Sequence, residues 1–246
     1  MKICVAQTKP LKGDINENIV NHQKLIDLAV QYGAELIVFP ELSITGYEPE
    51  LAETLATDTN DIRFDVFQSI SNDKDIQICI GMPLKTKEGI EIATFIFKPN
   101  HPLSTYSKQY LHADEFPYFK AAKNQDMLIE QKNKVALAIC YEISVPAHIN
   151  EAVAQQANIY IASVAKSVTG MENAINRLSE IAIKDSLFVL IANCVGYCDN
   201  FNCGGKSSAW NNSGFLLGQL NDTSEGVLII DTLTGKVFNS QQSARG

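Results

Sequence analysis

The sequence predicts an α/β protein in which helices cover mixed β-sheets, and three features of the chain lead to this prediction. Strand and helix patterns alternate in residues 1–40 and again in residues 134–192. Three strand candidates joined by short polar turns lie between residues 76 and 111, which is typical of antiparallel strands. No linker rich in proline, glycine and serine interrupts the chain. We therefore expect α/β layers in one domain that spans residues 1–246.

The first half of the chain opens with a strand, a helix and a second strand. Lys2–Gln7 alternates as a strand does, and apolar residues recur at helical spacing from Ile15 to Tyr32. Gly33 is placed to end that helix at C′, and Leu36–Phe39 is a short apolar run before a proline. The remaining predictions for this half are a polar helix from about Glu48 to Ser71 and strands within residues 76–84, 90–98 and 103–111.

The second half has a similar form and begins at an apolar run that ends in a cysteine. The segment "ANIYIAS" matches "AELIVFP" of the first half in place and character, which indicates another buried strand. The predicted strands are Lys134–Ile139, Asn158–Ala162, Leu187–Ala192, Ser207–Trp210, Gly214–Leu217 and Val227–Ile230, with helices from about Ala147 to Gln156 and from Met171 to Lys184.

Composition excludes several classes of partner. Hydrophobic residues make up 46% and charged residues 20% of the chain, as in a soluble globular protein. A formal charge of -8 without a basic cluster opposes nucleic-acid binding. The apolar stretch before Gln7 is too short for a signal peptide, and no run spans a membrane. We expect a cytoplasmic protein with no membrane partner, in which most cysteines are packed thiols rather than disulfides.

Three reactive side chains stand at or beside the ends of predicted strands. They are Glu41 in "VFPELSITG", Lys108 in "STYSKQYLHADEF" and Cys140 in "LAICYEISVP". Ligands bind at strand ends in open α/β sheets, so charged and nucleophilic groups there indicate a site. Each residue alone also has an ordinary interpretation: a charge at a helix start, a solvated edge lysine and a buried thiol.

Taken together, the three segments closely resemble the nitrilase superfamily of carbon–nitrogen hydrolases, in its amidase-like branch. The resemblance rests on Glu41 in "PE", on Lys108 and Glu115 in "KQYLHADE", and on Cys140 in "CYEISVP", in that order along the chain. It implies a four-layer αββα sandwich of two mixed β-sheets, a single carbon–nitrogen hydrolase domain over residues 1–246, and at least a homodimer. It implies no cofactor and no metal.

The resemblance also implies a role for each catalytic candidate. Cys140 is the nucleophile, Glu41 the general base and Lys108 the cation that, with the Tyr141 amide, receives the developing oxyanion. Glu115 positions Lys108 or the substrate amide, or it is a surface charge in an acidic loop. A thioester on Cys140 is then hydrolysed by water. Four residues are candidates for substrate binding: Tyr47, His112, Tyr141 and Ser163.

Departures from the family pattern bear on the substrate. Many members have an arginine after the "CYD" pair, whereas this chain has Ile143, Ser144 and Val145. A substrate held by its α-carboxylate is therefore less expected. Ile181 and Lys184 stand where family chains often have arginine and glutamate, so we expect different local packing or a different dimer contact.

Other motifs give weaker predictions. Cys194, Cys198 and Cys203 have the spacing C-x3-C-x4-C, but no fourth ligand follows nearby, so we predict no zinc and leave their role open. "GGKSS" lacks the first glycine of a phosphate loop, because Asn200 stands at that position. His148 is predicted to have a surface or capping role at the start of a helix.

These observations favour hydrolysis of a small linear amide through a thioester, with the amide as the small-molecule partner. N-carbamoyl-amine hydrolysis and nitrile hydrolysis remain alternatives, because nothing in the sequence ranks the three substrates. A noncatalytic small-molecule-binding protein on the same scaffold is the alternative from another class.

Overall fold

Two mixed β-sheets lie face to face in the computed structural model, which describes residues 1–123, 125–130 and 133–241. The strands of the first half are β1 (Lys2–Gln7), β2 (Leu36–Val38), β3 (Gln77–Thr86), β4 (Gly89–Phe97), β5 (Ser104–Ser107), β6 (Leu128–Glu130) and β7 (Val135–Ile139). Those of the second half are β8 (Ile159–Ser163), β9 (Phe188–Ala192), β10 (Val195–Cys198), β11 (Phe201–Gly204), β12 (Ser208–Trp210), β13 (Leu216–Gln219), β14 (Gly226–Asp231) and β15 (Val237–Gln241).

The pairing of these strands makes both large sheets mixed. The first sheet has the order β15-β14-β1-β2-β3-β4-β5, and the second has the order β13-β12-β9-β8-β7-β6. β1, β2 and β3 run parallel, as do β7, β8 and β9, while the outer strands pair antiparallel. β10 and β11 form a separate hairpin.

Helices cover the outer faces of the two sheets. They are α1 (Ile15–Gln31), α2 (Ala52–Leu55), α3 (Asp65–Lys74), α4 (Pro146–Ala154) and α5 (Val168–Asp185), with 3₁₀ helices at Pro49–Leu51, Ile62–Phe64 and Cys140–Ser144. Within the described ranges, no helix combines the length and apolar character that crossing a lipid bilayer requires.

Alternating burial along the strands produces the layers. In β1, Ile3 and Val5 face the core between the sheets, while Cys4 and Ala6 pack toward the helices of the first sheet. The core between the sheets continues through the second sheet to α4 and α5, where Leu178 is fully buried. The predicted four-layer αββα sandwich of two mixed sheets is confirmed.

Two predicted elements differ from the structure for local reasons. The helix expected from Glu48 to Ser71 is broken, because the Asp61 side chain accepts the Arg63 N–H at 3.0 Å and starts a new helical segment there. The strand expected in residues 103–111 ends at Ser107, because the Gln109 N–H donates to the buried Glu142 carboxylate instead of to a neighbouring strand. β6, β10, β11 and β15 were not predicted, since these strands are short and lack a strong apolar alternation.

Candidate active site

The ends of three strands, two in the first sheet and one in the second, bring Glu41, Lys108 and Cys140 to one place. Glu41 follows β2, Lys108 directly follows β5, and Cys140 directly follows β7. Lys108 Nζ lies 2.7 Å from Glu41 Oε1 and 2.6 Å from Glu115 Oε1. The lysine side chain is fully buried, and both glutamates are almost so. We call Glu41, Lys108 and Glu115 the acid–lysine cluster.

Cys140 occupies a strained turn at the end of its strand. Its φ is 45°, in the left-handed region that non-glycine residues rarely adopt. The turn is held by Glu142, whose Oε2 accepts the Ile139 N–H at 2.7 Å. The thiol interacts electrostatically with Glu41 and faces a cavity. Such outliers often occur at functional sites, where the surrounding structure enforces them.

Glu115 is held in place by two neutral donors as well as by the lysine. Its Oε1 accepts the Tyr47 hydroxyl at 3.0 Å, and its Oε2 accepts the His112 backbone N–H at 2.7 Å. The carboxylate therefore has a fixed orientation toward Lys108. The interpretation of Glu115 as an exposed surface charge is wrong, because only 1% of the residue is accessible.

Burial and neighbouring charges set the protonation states of the cluster. Burial raises the pKa of Glu41 above its ordinary value, although Lys108 opposes the rise. Burial alone would lower the pKa of Lys108, but the Glu41 charge and its neighbours outweigh it, so that pKa is raised. Burial and the Glu41 charge raise the pKa of Cys140 to about 11. At neutral pH the resting site thus contains an ammonium and a protonated thiol.

A cavity of about 260 Å³ opens over the thiol. Three of the predicted substrate-binding residues line it: Tyr47, His112 and Tyr141. Ser163 does not, because it is buried and its hydroxyl donates to the Phe39 carbonyl at 2.7 Å. The Ser163 hydroxyl is therefore not directed at a substrate in this cavity, contrary to the predicted substrate-binding role.

Sequence reasoning missed other residues that line the cavity, among them Asp114, Lys166 and Phe201. Lys166 lies shortly after the end of β8, so the strand-end argument that found Glu41 could have found it too. Phe201 could not have been found in this way, because it lies on the unpredicted β10–β11 hairpin.

A second buried carboxylate, Glu142, lies on the other side of the Cys140 turn. Its Oε2 accepts the Tyr106 hydroxyl at 2.8 Å and lies 3.3 Å from His148 Nε2, and the Tyr160 hydroxyl is 2.9 Å from His148 Nδ1. Its Oε1 accepts the Gln109 N–H at 2.6 Å. We call Tyr106, Glu142, His148 and Tyr160 the Glu142 network.

The Glu142 network connects the two chain segments that carry the lysine and the thiol. Gln109 follows Lys108 in the chain, and Ile139 precedes Cys140, so one carboxylate fixes both backbones. The surface role considered for His148 is wrong, because the residue is fully buried near the start of α4. Sequence reasoning gave Glu142 no role of its own, since a glutamate beside the cysteine carries no separate signal.

Comparison with known proteins identifies the family of this chain. The sequence model described as carbon–nitrogen hydrolase matches residues 2–235. The chain belongs to the carbon–nitrogen hydrolase family. The resemblance to the nitrilase superfamily predicted from the sequence motifs is thereby confirmed.

This carbon–nitrogen hydrolase is similar to proteins of different lengths. It is 30% identical to the glutamine-dependent NAD(+) synthetase of Acinetobacter baylyi over 147 residues, which covers 58% of this chain. The chain spans only 27% of that relative's length. It is 20% identical to the "Hydrolase in agr operon" of Staphylococcus aureus over 249 residues, covering 99% of this chain and 95% of the relative.

A solved amidase structure has the same fold as this carbon–nitrogen hydrolase. A mutant of the amidase from Nesterenkonia sp. AN1 matches it with a TM-score of 0.85 and 20% identity, over 94% of this chain and 90% of the amidase chain. That amidase shows covalent addition of the acetamide moiety of fluoroacetamide at its active-site cysteine. At this identity the likeness establishes the fold.

Proposed function

We propose that this hydrolase cleaves the C–N bond of a small linear amide through a thioester on Cys140. One observation carries the proposal: the thiol lies at a cavity, beside a buried lysine that is 2.7 Å from Glu41 and 2.6 Å from Glu115. This arrangement brings together a nucleophile, a base and a cation, the set of groups that amide hydrolysis through a thioester requires. No other group is needed to account for each proton that the reaction moves.

The first step forms a bond from Cys140 Sγ to the amide carbon. The thiol proton passes to Glu41, whose raised pKa makes it a stronger base than an ordinary carboxylate. The carbonyl electrons move to oxygen, which accepts hydrogen bonds from Lys108 Nζ and the Tyr141 backbone N–H. An ammonium has three N–H groups. Two of them are directed at Glu41 and Glu115, so the third is left for the substrate.

The second step breaks the C–N bond and then the C–S bond. The departing nitrogen takes the proton from Glu41 and leaves as ammonia, which leaves a thioester on Cys140. Water attacks the thioester, gives a proton to Glu41, and the carboxylic acid departs as the C–S bond breaks. The proton returns to the thiol. Removing one donor to such an oxyanion typically costs about 10² to 10³ in kcat.

The cavity supports a small substrate of modest polarity. Its volume of about 260 Å³ is below the roughly 300–1,000 Å³ of pockets that hold drug-sized ligands. The rings of Tyr47 and Phe201 lie 6.1 Å apart in its wall, and Tyr141 lines the opposite part. A short aliphatic chain can contact these rings while the amide lies against Cys140.

A substrate panel with matched cysteine variants tests the proposal. Ammonia release is measured from short aliphatic amides, N-carbamoyl amines and nitriles, and acylated Cys140 is sought by mass spectrometry. We expect the highest kcat/KM for an aliphatic amide and loss of turnover in Cys140→Ala. Cys4→Ala, a core thiol remote from the cavity, serves as the control that keeps activity.

Each other outcome of the panel contradicts the proposal in a specific way. A higher kcat/KM with N-carbamoyl amines or nitriles than with amides would show that the preferred substrate is not an amide. Turnover that survives Cys140→Ala would exclude the thioester. Binding of amides without turnover by the folded wild-type protein would favour the noncatalytic scaffold.

We propose further that the chain forms a single domain over residues 1–246, resides in the cytoplasm and forms a homodimer. Six free cysteines support a reducing compartment. Three exposed apolar residues support self-association: Ile183 on α5 is 60% exposed, and Phe215 and Leu216 beside it are 71% and 50% exposed. Ile183→Lys should shift the sedimentation coefficient to that of a monomer, and an unchanged coefficient would place the contact elsewhere.

A further inference from the structure

Three thiols that are separated in the chain converge behind the wall of the cavity. The Sγ atoms of Cys194, Cys198 and Cys203 all lie within 4.8 Å of one another. Cys194 Sγ is 2.8 Å from Cys203 Sγ and 3.9 Å from Cys198 Sγ. Each residue is at most 4% exposed. We call these residues the three-cysteine cluster.

The β10–β11 hairpin builds the three-cysteine cluster. Cys194 precedes β10, Cys198 ends it, and Cys203 lies on β11. Cys4 and Cys79 differ, because each lies within a long strand among aliphatic side chains, as a packed thiol does. The spacing C-x3-C-x4-C alone predicted no metal for want of a fourth ligand. The fold adds a convergence of sulfur atoms that the spacing does not reveal.

We propose that the three-cysteine cluster binds one thiophilic closed-shell metal ion, Zn²⁺ or Cu⁺. Thiolates select such soft ions. Two sulfurs that each lie about 2.3 Å from one ion are at most about 4.6 Å apart. This is close to the 4.8 Å within which the three Sγ atoms lie. On binding, each thiol loses its proton to solvent and its sulfur forms a bond to the ion.

The two ions would use the cluster differently. Cu⁺ needs no ligand beyond the three sulfurs of a trigonal set, whereas Zn²⁺ adds a fourth ligand, for which a water molecule suffices. The Cys194 and Cys203 sulfurs must therefore separate from 2.8 Å to about 3.8 Å on a tetrahedral ion, or to about 4.0 Å on a trigonal one. Among the described residues, the group consists of these three cysteines alone, so a four-thiolate iron–sulfur site is not expected.

Contacts around the sulfurs connect the cluster to the cavity. The Tyr47 backbone lies beside Cys198, and the Tyr47 hydroxyl donates to Glu115 at 3.0 Å. Phe201, between the second and third cysteines, lines the cavity. Groups packed around metal ligands orient them and tune the ion. A bound ion would therefore stabilise the hairpin and fix one wall of the substrate site, independently of which substrate the hydrolase uses.

Metal titration of the purified full chain tests this proposal. Protein prepared with a thiol reductant and stripped with a chelator is titrated separately with Zn²⁺ and Cu⁺, and metal content is measured by mass spectrometry. We expect one equivalent of one ion per chain and a higher Tm in the loaded protein. Cys203→Ser should weaken binding by about 100-fold or more, while Cys140→Ala, which alters the cavity thiol only, should bind as wild type does.

Two further measurements keep the test decisive if a cysteine variant fails to fold. Wild-type protein loaded with Co²⁺ should show an intense thiolate-to-metal absorption band, and Cys198→Ser provides a second ligand variant. The proposal is overturned if neither ion binds stoichiometrically or if no thiolate band forms. It is also overturned if Cys140→Ala abolishes binding, or if intact mass shows a Cys194–Cys203 disulfide in protein that takes up no metal.

Discussion

Two buried groups of residues on either side of the Cys140 turn both contain buried carboxylates, but these carboxylates have different surroundings. In the acid–lysine cluster, Glu41 and Glu115 face an ammonium, and Glu115 lines the cavity. In the Glu142 network, one carboxylate accepts the Ile139 and Gln109 N–H groups and a tyrosine hydroxyl. Both arrangements satisfy buried carboxylates, but only the first contains an ammonium and lies beside a thiol that faces the cavity.

The difference shows that the role of a carboxylate follows from the donors that it accepts and not from its separation from the thiol along the chain. Glu142 is two residues from the thiol, yet its oxygens are occupied by backbone and hydroxyl donors that hold the turn. Glu41 comes from a distant segment, and its charge acts on the thiol itself. We therefore propose that the chemistry depends on Glu41 and the geometry of the turn on Glu142.

The largest expected effect is that of Glu41→Gln, which keeps the shape of the side chain but removes the base. We expect kcat/KM to fall by about 10² to 10⁴, the usual contribution of a general base. Steady-state ammonia release measures this, and the exposed Glu50→Gln is the matched control. A decrease of less than tenfold would show that another group accepts the thiol proton.

The corresponding substitution in the Glu142 network, Glu142→Gln, should mainly lower the stability of the fold. Glu142→Gln turns an amide N–H₂ toward buried donors, so at least one of them loses its acceptor. The free energy of unfolding should fall by about 1–3 kcal/mol, with a smaller loss of kcat/KM than in Glu41→Gln. Urea denaturation and kinetics below the unfolding transition measure both. If Glu142→Gln lost activity but kept its stability, Glu142 would belong to the chemistry.

How far the sequence predicts this site depends on what fixes each residue. Glu41 and Cys140 follow strands with clear apolar runs, so the end of each strand could be located, whereas Lys108 lay inside the strand predicted for residues 103–111 and was identified through the family resemblance. Ser163 was predicted to bind substrate, but its hydroxyl is directed toward the Phe39 carbonyl. Glu142 has no pattern of its own, because its donors come from backbone positions that only the tertiary fold brings together.

The fold was predicted best where burial is periodic. β1 has the predicted bounds, and α1 differs at one end by a residue, because both alternate strongly between buried and exposed positions. The hairpin of β10 and β11 was missed, since its turn depends on Asp199 with φ 46° rather than on a glycine pair. The three-cysteine cluster was missed with it, because the sulfurs meet only when that hairpin forms.

The pH dependence of kcat/KM gives a sharper comparison of the two groups. Glu41 accepts the thiol proton only when deprotonated, and burial raises its pKa, so activity should be lost as the pH falls through a value above the ordinary carboxyl pKa of about 4.3. The Cys140 pKa of about 11 keeps the thiol protonated through neutral pH, so no second increase in kcat/KM is expected near neutral pH. A profile from mildly acidic to alkaline pH measures this. Glu142→Gln should not move the acid midpoint, and a midpoint below that of an ordinary carboxyl group would contradict the role of Glu41.

The smallest expected effects come from two tyrosines that each donate one hydroxyl to a buried carboxylate. Tyr47→Phe removes the 3.0 Å bond to Glu115, which fixes Lys108, so kcat/KM should fall about tenfold, the equivalent of one charge-assisted hydrogen bond. Tyr106→Phe removes the 2.8 Å bond to Glu142, so it should lower the free energy of unfolding by about 1–3 kcal/mol with little change in kcat/KM. The two variants delete the same atom, so only the carboxylate that loses a donor differs between them. Equal kinetic losses in both would mean that the acid–lysine cluster and the Glu142 network act as one unit, and the assignment of chemistry to the first and geometry to the second would fail.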